Sequence, residues 1–299
     1  MNKRENWYKK LSSFDNLNVR NLFWLLFSPN LINEHSIKGV PSFPDNWLDK
    51  WYEHSEDFFI ELNENSSKLD EFINESNSYR LGIYAERLLQ YFFENFSETR
   101  LLLCNYQVFN GKTTIGEIDF VIEWEDWLLH IELAVKYYLL NEDKNKLHEW
   151  IGPSGKDNLG KKIEKVKKHQ LKLSQNENFV NSTQLSPTSF FMLKGMLFSP
   201  FQTDFEAPNW LNQNIDKRNY MRWTDFKDFA EKNKNIDQFV LLLRPNWMAS
   251  LIIPSTEYLE LSENWQENEA MLDRYGAFHI YDLKNKTTFM VVKDKWPEK

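Results

Sequence analysis

The sequence predicts an α/β protein, and three observations support that prediction. Apolar residues recur at helical spacing in YRLGIYAERLLQYFFEN, residues 79–95. Three runs that alternate apolar and polar residues follow, as is typical of successive β-strands. A second helix and a fourth strand come next, and the order helix, three strands, helix, strand is typical of an α/β core.

Two helices are predicted before this core. VRNLFWLLFS, residues 19–28, follows two asparagines, and either Asn16 or Asn18 is a suitable N-cap. Pro44 is well placed as the first residue of a helix through DNWLDKWYEHSEDFFIEL, residues 45–62, because proline is favoured in the first turn. We therefore expect a helical N-terminal region.

The core itself is predicted as follows. Its first helix, Tyr79–Asn95, places four apolar residues on one face: Leu81, Ala85, Leu88 and Phe92. The three strands are LLLCNYQVF (101–109), IGEIDFVIEW (115–124) and WLLHIELAVKYYL (127–139), with Gly-Lys and Glu-Asp turns between them. We expect Glu117–Glu123 and Leu128–Tyr138 to be adjacent antiparallel strands. The second helix is expected at Asn158–Leu173, with Asp157 as its cap, and the fourth strand at Ser189–Phe198.

The chain is predicted to divide into three parts. Residues 1–78 are expected to form the helical region, packed on a core that spans residues 79–200. Residues 201–299 are expected to form an α+β extension that ends in a hairpin around Lys284–Lys286.

Composition places the chain among globular proteins of a reducing compartment. The formal net charge is −8, and the single cysteine, Cys104, excludes an internal disulfide framework. Neither a secretory signal nor an apolar run of the roughly 20 residues that span a bilayer is visible. We therefore expect a soluble, cytoplasmic protein with no membrane partner. The negative charge argues against a bulk binder of nucleic acid, although a nucleic-acid enzyme needs only a local positive field.

Acidic residues stand on the inner faces of two predicted strands. Because alternate residues of a strand share a face, Glu117 lies beside Asp119 on one strand. On the next strand, Glu132, Ala134 and Lys136 share a face. Pairing of these strands would gather two or three carboxylates and a lysine, an oxygen-rich environment that suits Mg²⁺ or Mn²⁺. The simpler alternative is a half-solvated strand whose acidic residues face water.

Motifs along much of the chain resemble a known enzyme superfamily. They are LFWLLFSPNL (22–31), RLGIYAERLLQYF (80–92), GEIDF (116–120), HIELAVKYYL (130–139), GPSGKDNLGKK (152–162) and KHQLKLS (168–174). Together they resemble the PD-(D/E)XK nuclease superfamily, and within it an uncharacterised bacterial branch that is a domain-of-unknown-function family. The resemblance implies a restriction-endonuclease-like α-β-β-β-α-β core. It also implies Mg²⁺-dependent hydrolysis of nucleic acid, with DNA favoured over RNA.

The resemblance assigns roles residue by residue. Asp119 and Glu132 would be the metal-binding carboxylates, and Leu133 would offer its backbone carbonyl to the same ion. Glu86, on the preceding helix, would be an accessory acid.

One position departs from the superfamily pattern. The superfamily lysine belongs two residues after the second acid, where this chain has Ala134. Lys136 stands two residues further along, on the same face and roughly 6–7 Å away. Two readings stay open: a migrated lysine in an active nuclease, or a catalytically inactive module that binds nucleic acid or protein.

Other polar residues have weaker signals. Four lysines are expected on the side of the second core helix opposite its apolar face: Lys161, Lys165, Lys168 and Lys172. The first three, called the lysine stripe below, are suited either to phosphates or simply to water. Glu117 could support the metal ligands or be solvated. Gln170 projects into the apolar face of its helix, so it is expected either in the core or beside the carboxylates, in both cases with a hydrogen-bond partner. His130 is expected on the other face of its strand, as a core or surface residue.

Overall fold

A computed structural model describes residues 3–76, 78, 80–203, 205–233, 236–250 and 258–298 of the protein. The helices are α1 (Lys3–Ser12), α2 (Leu17–Phe27), α3 (Asp45–His54), α4 (Glu56–Glu64), α5 (Ser67–Asn74), α6 (Leu81–Asn95), α7 (Leu159–Lys168), α8 (Glu177–Thr183), α9 (Trp223–Asn233) and α10 (Trp265–Tyr275). The strands are β1 (Thr99–Asn110), β2 (Thr113–Trp124), β3 (Trp127–Leu140), β4 (Trp150–Ile151), β5 (Thr188–Pro200), β6 (Lys217–Arg222), β7 (Phe239–Leu242), β8 (Tyr258–Glu260), β9 (Ala277–Asp282) and β10 (Thr287–Val292). The general α/β class is confirmed. Within the described part of the chain, no helix combines the length and apolarity needed to cross a bilayer.

Helix α2 begins where the sequence predicts. The side chain of Asn16 accepts hydrogen bonds from the backbone N–H groups of Asn18 (2.8 Å) and Val19 (3.1 Å). Asn16 is therefore the N-cap, and it satisfies two donors that the first helical turn leaves unpaired. Residues Val19–Leu26 are all buried, as expected of a helix that is apolar on most sides.

The single helix predicted after Pro44 is in fact two helices, α3 and α4. They meet at Ser55, which is buried and has φ −97° and ψ 11°. Its N–H still bonds to the Trp51 carbonyl at 2.9 Å, and its carbonyl accepts from Phe59 N–H at 3.0 Å. Because the junction contains neither proline nor glycine, local sequence gives no sign of the break.

Helix α6 and the three strands after it follow the prediction closely. Tyr79, the predicted first residue of the helix, lies outside the described residues, and α6 begins at Leu81. The four residues predicted to share its inner face are all buried: Leu81, Ala85, Leu88 and Phe92. Strands β1, β2 and β3 pair as antiparallel neighbours. Their turns contain Gly111 and Glu125, both with positive φ, as tight hairpin turns require.

The second core helix is shorter than predicted. Helix α7 ends at Lys168 and is followed by a separate 3-10 segment, Gln170–Gln175. Its N-cap is Asn158, whose side chain accepts from Lys161 N–H at 2.9 Å, and not the predicted Asp157. Asp157 is therefore available for another contact, described below.

The strands form a ten-stranded, mostly antiparallel sheet. The order is β1-β2-β3-β5-β6-β10-β9-β7-β8, and β4 pairs with β3. Two pairings are parallel, β5 with β6 and β6 with β10. The predicted C-terminal hairpin is present as β9 and β10, which are antiparallel.

The chain folds into two compact units. Unit 1 consists of Met1–Val135, Ile163–Lys194 and Asn209–Asn214. Unit 2 consists of Lys136–Lys162, Gly195–Pro208 and Ile215–Lys299. Three of the unit boundaries fall inside regular elements, namely β3, α7 and β5, so composition alone could not locate them.

A buried lysine lies at the C-terminal end of α2 in unit 1. Lys194 is 0% exposed, and its ammonium donates to the carbonyls of Leu26 (3.1 Å) and Ser28. Burial lowers the pKa of Lys194 to about 7, although the charge of Asp45 opposes the change. The helix C-terminus also favours a cation there. The residue thus stabilises the end of α2 at an electrostatic cost.

This cost predicts a pH dependence of stability. Unfolded Lys194 titrates near its ordinary value of 10.5, whereas the folded residue titrates at about 7. Between these values the unfolded chain binds more protons, so the free energy of unfolding should rise with pH, by at most about 1.4 kcal/mol per pH unit. Lys194→Met should remove this component. Urea unfolding of both proteins across this range measures it, and a difference between them that is constant with pH would contradict the prediction.

Candidate functional site

The two acids predicted to bind metal lie where the β2–β3 pairing ends, in unit 1. The last residue pair of that register is Phe120 opposite Ile131. Asp119 and Glu132 are the next residues of the two strands beyond that pair. Beyond that pair the Asp119 side chain, instead of a backbone carbonyl of β2, binds β3: its Oδ2 accepts a hydrogen bond from the backbone N–H of Leu133 at 2.8 Å. An acidic side chain thus connects the two strands.

Both carboxylates are withdrawn from solvent. Asp119 is 9% exposed and Glu132 is 1% exposed. Burying a carboxylate is costly unless hydrogen bonds or a cation compensate. The protein compensates both groups with hydrogen bonds: Glu132 Oε1 accepts from the side-chain amide of Gln170, and Asp119 Oδ2 accepts from the Leu133 N–H. Carboxylate oxygens of this kind are also ligands that Mg²⁺ prefers.

The 3-10 segment Gln170–Gln175 covers the face of β3 that carries Glu132. Gln170 at its start donates to Glu132, and four residues later Ser174 Oγ lies 3.0 Å from His130 Nδ1. Of the two positions expected for Gln170, the structure shows the one beside the carboxylates. The end of α7 at Lys168 allows this contact, because the tighter 3-10 turn redirects the residues that follow.

The expectation that His130 lies on the other face of β3 is wrong. His130 and Glu132 are two residues apart, so they share a face, and both contact the same 3-10 segment. His130 Nδ1 also lies 3.0 Å from Ser189 Oγ. Burial lowers the pKa of His130 to about 4, so the ring is neutral at neutral pH. Strict application of strand alternation would have placed it correctly.

Three oxygen donors of this site suit a hard cation. They are the carboxylates of Asp119 and Glu132 and the backbone carbonyl of Leu133. An extended residue presents its N–H and C=O to the same neighbouring strand, so the Leu133 carbonyl faces β2 together with the amide that binds Asp119. Mg²⁺ accepts such donors and keeps several waters. Among the described residues no three His, Cys, Asp or Glu side chains converge on a metal position, so this donor set would rely on the carbonyl and water.

Four carboxylates lie close enough to Cys104, in the neighbouring strand β1, to affect its thiol. Burial, and after it the charges of four carboxylates, raise the pKa of the Cys104 thiol to about 12; in order of effect these are Glu94, Glu86, Asp119 and Glu117. Glu86 is half-buried on α6, whereas Glu117 is exposed. The two are therefore close enough to Cys104 to act on its thiol. The thiol stays protonated at neutral pH, which makes it a poor nucleophile and a poor metal ligand.

Lys136, the predicted catalytic lysine, is paired within unit 2. Its ammonium lies 2.7 Å from Asp157 Oδ2, and the Tyr138 hydroxyl donates to the same oxygen at 3.3 Å. Sequence reasoning missed Asp157 as a partner because it was assigned to the helix cap. The adjacent Asn158 is an equally good capping residue, so the sequence also allows Asn158 to cap the helix and Asp157 to form another contact. Ala134, at the superfamily's lysine position, is buried.

The lysine stripe lies on the exposed side of α7. Lys161, Lys165 and Lys168 are all exposed, while Ile163 and Val166 of the same helix are buried. Lys168 also forms an ion pair with Glu164 at 3.0 Å. This pair is on the surface and one turn apart, so it contributes little and leaves the lysine accessible to a phosphate.

Comparison with known proteins identifies a family. Neither a curated protein nor a solved structure matches the chain. The family model that matches is described as "Domain of unknown function (DUF1853)", and the match covers residues 20–283. Because this match spans well over half of the chain, the protein belongs to the DUF1853 family.

Proposed function

We propose that the protein is a metal-dependent phosphodiesterase that hydrolyses nucleic acid, built on a PD-(D/E)XK, restriction-endonuclease-like core. One observation carries the proposal. Asp119 and Glu132 are both buried just beyond the last residue pair of β2 and β3, and Asp119 binds the backbone N–H of Leu133, the residue after Glu132. The elements α6, β1, β2, β3, α7 and β5 come in the order of that core, with the short strand β4 before α7 and helix α8 before β5 as additions.

In this proposal Asp119, Glu132 and the Leu133 carbonyl hold one Mg²⁺ or Mn²⁺ ion. Bound there, the ion would lower the pKa of a water and stabilise charge on the scissile phosphate. The protein residues keep the donors in place. The Leu133 N–H fixes one oxygen of Asp119 at 2.8 Å, and the Gln170 amide fixes one oxygen of Glu132. Glu86 is proposed as the accessory acid.

A second candidate function is a nuclease-like module without catalysis that binds nucleic acid or protein. Two observations favour it. Ala134 occupies the position of the superfamily lysine, and the displaced Lys136 already has a carboxylate partner, Asp157, at 2.7 Å. If the protein is instead an active nuclease, the phosphate of the substrate would compete with Asp157 for Lys136. Lys136 would then assist the attacking water or stabilise charge in the transition state.

Calorimetric titration with Mn²⁺ and Mg²⁺ tests the proposed metal site. The parent protein should give saturable heat, and Glu132→Gln should weaken binding at least tenfold, because it removes a charged donor while keeping a side chain that can still meet Gln170. Excess chelator should abolish the heat. Without saturable heat in the parent protein, or with unchanged affinity in Glu132→Gln, the non-catalytic module would become the better account.

The lysine stripe gives a second test, directed at nucleic acid. If Lys161, Lys165 and Lys168 contact phosphates, replacing all three with alanine should weaken binding to duplex DNA. It should also reduce the slope of log affinity against log salt by up to about 2.7, since each phosphate contact contributes roughly 0.9. The matched control replaces three exposed lysines elsewhere: Lys284, Lys286 and Lys295. Equal slopes in both triple variants would mean that the stripe is a solvated surface.

A further inference from the structure

Strands β1 and β2 stay paired beyond the point where β2 leaves β3. Among the described residues the β2–β3 register ends at Phe120, whereas β1 and β2 remain paired up to their turn, at Asn110 opposite Thr113. Within the described part of the chain, residues 105–118 thus form a two-stranded antiparallel ribbon with no third strand beside it. This β1–β2 ribbon belongs to unit 1, and residues 109–114 at its tip are all exposed.

One face of the β1–β2 ribbon is anchored on unit 1. The Tyr106 ring contacts the Phe179 ring of α8, with centroids 5.8 Å apart, and the Tyr106 hydroxyl lies 3.2 Å from Ser182 Oγ. Val108, two residues along β1, is buried in the apolar cluster that also contains Phe179 and Leu173. These contacts hold the ribbon in place, so its other face is preorganised and loses little entropy when a partner binds.

The other face of the β1–β2 ribbon carries side chains that suit the edges of bases. Gln107 and Phe109 alternate with the anchored residues of β1 and are both exposed, and Thr114 is exposed opposite Phe109. The turn adds Asn110 and Lys112, which are exposed as well. Side-chain amides bind adenine through two hydrogen bonds, lysine binds guanine, and apolar groups contact the thymine methyl group. Within the described residues, neither amide nor the lysine is engaged in another hydrogen bond or ion pair.

The charge of the β1–β2 ribbon also suits DNA, unlike the charge of the chain as a whole. The net charge is −8, yet residues 99–116 contain no aspartate or glutamate and two cations, Arg100 and Lys112. The first acidic residue of β2 is Glu117, on the side of the proposed metal ligands. An acidic protein approaches the phosphate backbone most easily through a surface that lacks negative charge.

We infer that the β1–β2 ribbon enters the major groove of duplex DNA, with Gln107, Asn110 and Lys112 as the residues that contact base edges. A two-stranded ribbon has the width that the major groove admits. Duplex DNA is favoured over a single strand, because single-strand binding depends on several stacking rings and the exposed face of the ribbon presents only Phe109. The inference rests on the proposed function, since it takes nucleic acid as the substrate, but it does not require catalysis.

The position of the ribbon predicts where the DNA would be cut. Asp119 lies five residues along β2 from Thr114, which is about 16 Å at roughly 3.3 Å per residue. Since base pairs rise by about 3.4 Å each, the cut should fall about five base pairs from the bases that the ribbon contacts. Sequencing the ends of the cleavage products measures this separation.

Selection from a pool of duplexes with a randomised central segment tests the ribbon itself. The full chain is mixed with the pool without divalent cations, so that binding is measured in the absence of cleavage, and the bound duplexes are sequenced. The parent protein should enrich a short motif. Gln107→Ala and Lys112→Ala should each change that motif and weaken binding of the enriched duplex at least about fivefold. Asn46→Ala and Lys68→Ala, exposed controls in unit 1, should bind like the parent.

Three outcomes would overturn the inference: bound duplexes without an enriched motif, a motif that persists in the Gln107→Ala/Lys112→Ala double variant, or tighter binding of the separated strands than of the duplexes. Circular dichroism verifies that each variant is folded, as expected because the substitutions are on exposed side chains. Motif-specific binding without cleavage in Mg²⁺ would contradict the proposed hydrolysis alone. A parent protein that binds no nucleic acid would contradict both proposals.

Discussion

Asp119→Asn is expected to abolish metal-dependent cleavage of nucleic acid while leaving the metal-free protein at least as stable as the parent. The substitution keeps the shape of the side chain, and the asparagine oxygen can still accept the Leu133 N–H that Asp119 binds at 2.8 Å. It removes the negative charge of a buried side chain, so the cost of burying that charge disappears. The loss of metal-supplied charge stabilisation, at least about 4 kcal/mol, should lower the cleavage rate by roughly 10³-fold or more.

The same variant should lose the effect of metal on stability. A ligand that binds the folded state at 100 times its dissociation constant stabilises that state by about 2.7 kcal/mol. The parent protein should therefore melt at a higher temperature in Mn²⁺ or Mg²⁺, and Asp119→Asn should not. Glu117→Gln is the matched control, because it removes an exposed carboxylate two residues away on the same strand. It should retain both cleavage and the metal-induced shift.

The sign of the change in melting temperature in Asp119→Asn distinguishes two roles of Asp119: a metal ligand, or a carboxylate paired with a positive group of the protein. If Asp119 is instead compensated by a permanent positive partner in the protein, Asp119→Asn leaves that partner uncompensated and lowers the melting temperature with or without metal. If Asp119→Asn melts at a lower temperature, and metal does not change the melting temperature of the parent protein, the proposed metal-dependent cleavage is contradicted.

Local patterns in the sequence were sufficient for the elements that form the site. Strand alternation and turn residues predicted β1 to β3, and the same alternation placed Asp119 on the same face of its strand as Glu117. These strand features depend on residues close together in sequence. For Gln170 the sequence predicted only that a polar side chain in an apolar helix face requires a partner; that partner, Glu132, is 38 residues away.

Features that depend on distant residues could not be predicted in this way. The pairing of β6 with both β5 and β10 joins segments far apart in the chain, and nothing in six residues of Lys217–Arg222 encodes it. The ion pair of Lys136 with Asp157 was hidden by a competing local role for Asp157 as a helix cap. The end of α7 at Lys168 likewise depends on packing, since both Leu171 and Leu173 in the following segment are buried.

Gly195 in unit 2 occupies a position where the backbone excludes any side chain. It lies in β5 with φ +141°, a backbone conformation that other residues rarely adopt. A Cβ built there would be 1.7 Å from the carbonyl oxygen of Lys136 and 2.7 Å from its carbonyl carbon. Because these are backbone atoms of a strand, no side-chain rotation can relieve the overlap. Glycine is thus required for β5 to approach the segment that carries Lys136.

Gly195→Ala should therefore reduce the free energy of unfolding by about 3–5 kcal/mol, at the upper end of single substitutions, or prevent folding. Urea unfolding measures the loss, and the yield of folded protein reports it if the loss is complete. Gly82→Ala makes the same chemical change in α6, where no atom of the described residues outside the local helix backbone lies within 4 Å of the new Cβ. That control should gain about 0.5–1 kcal/mol, because alanine is the better helix former. A Gly195→Ala protein as stable as the parent would mean that β5 and the Lys136 segment are not in contact. In that case the close approach of Gly195 to the Lys136 carbonyl would not be what positions Lys136 for its ion pair with Asp157.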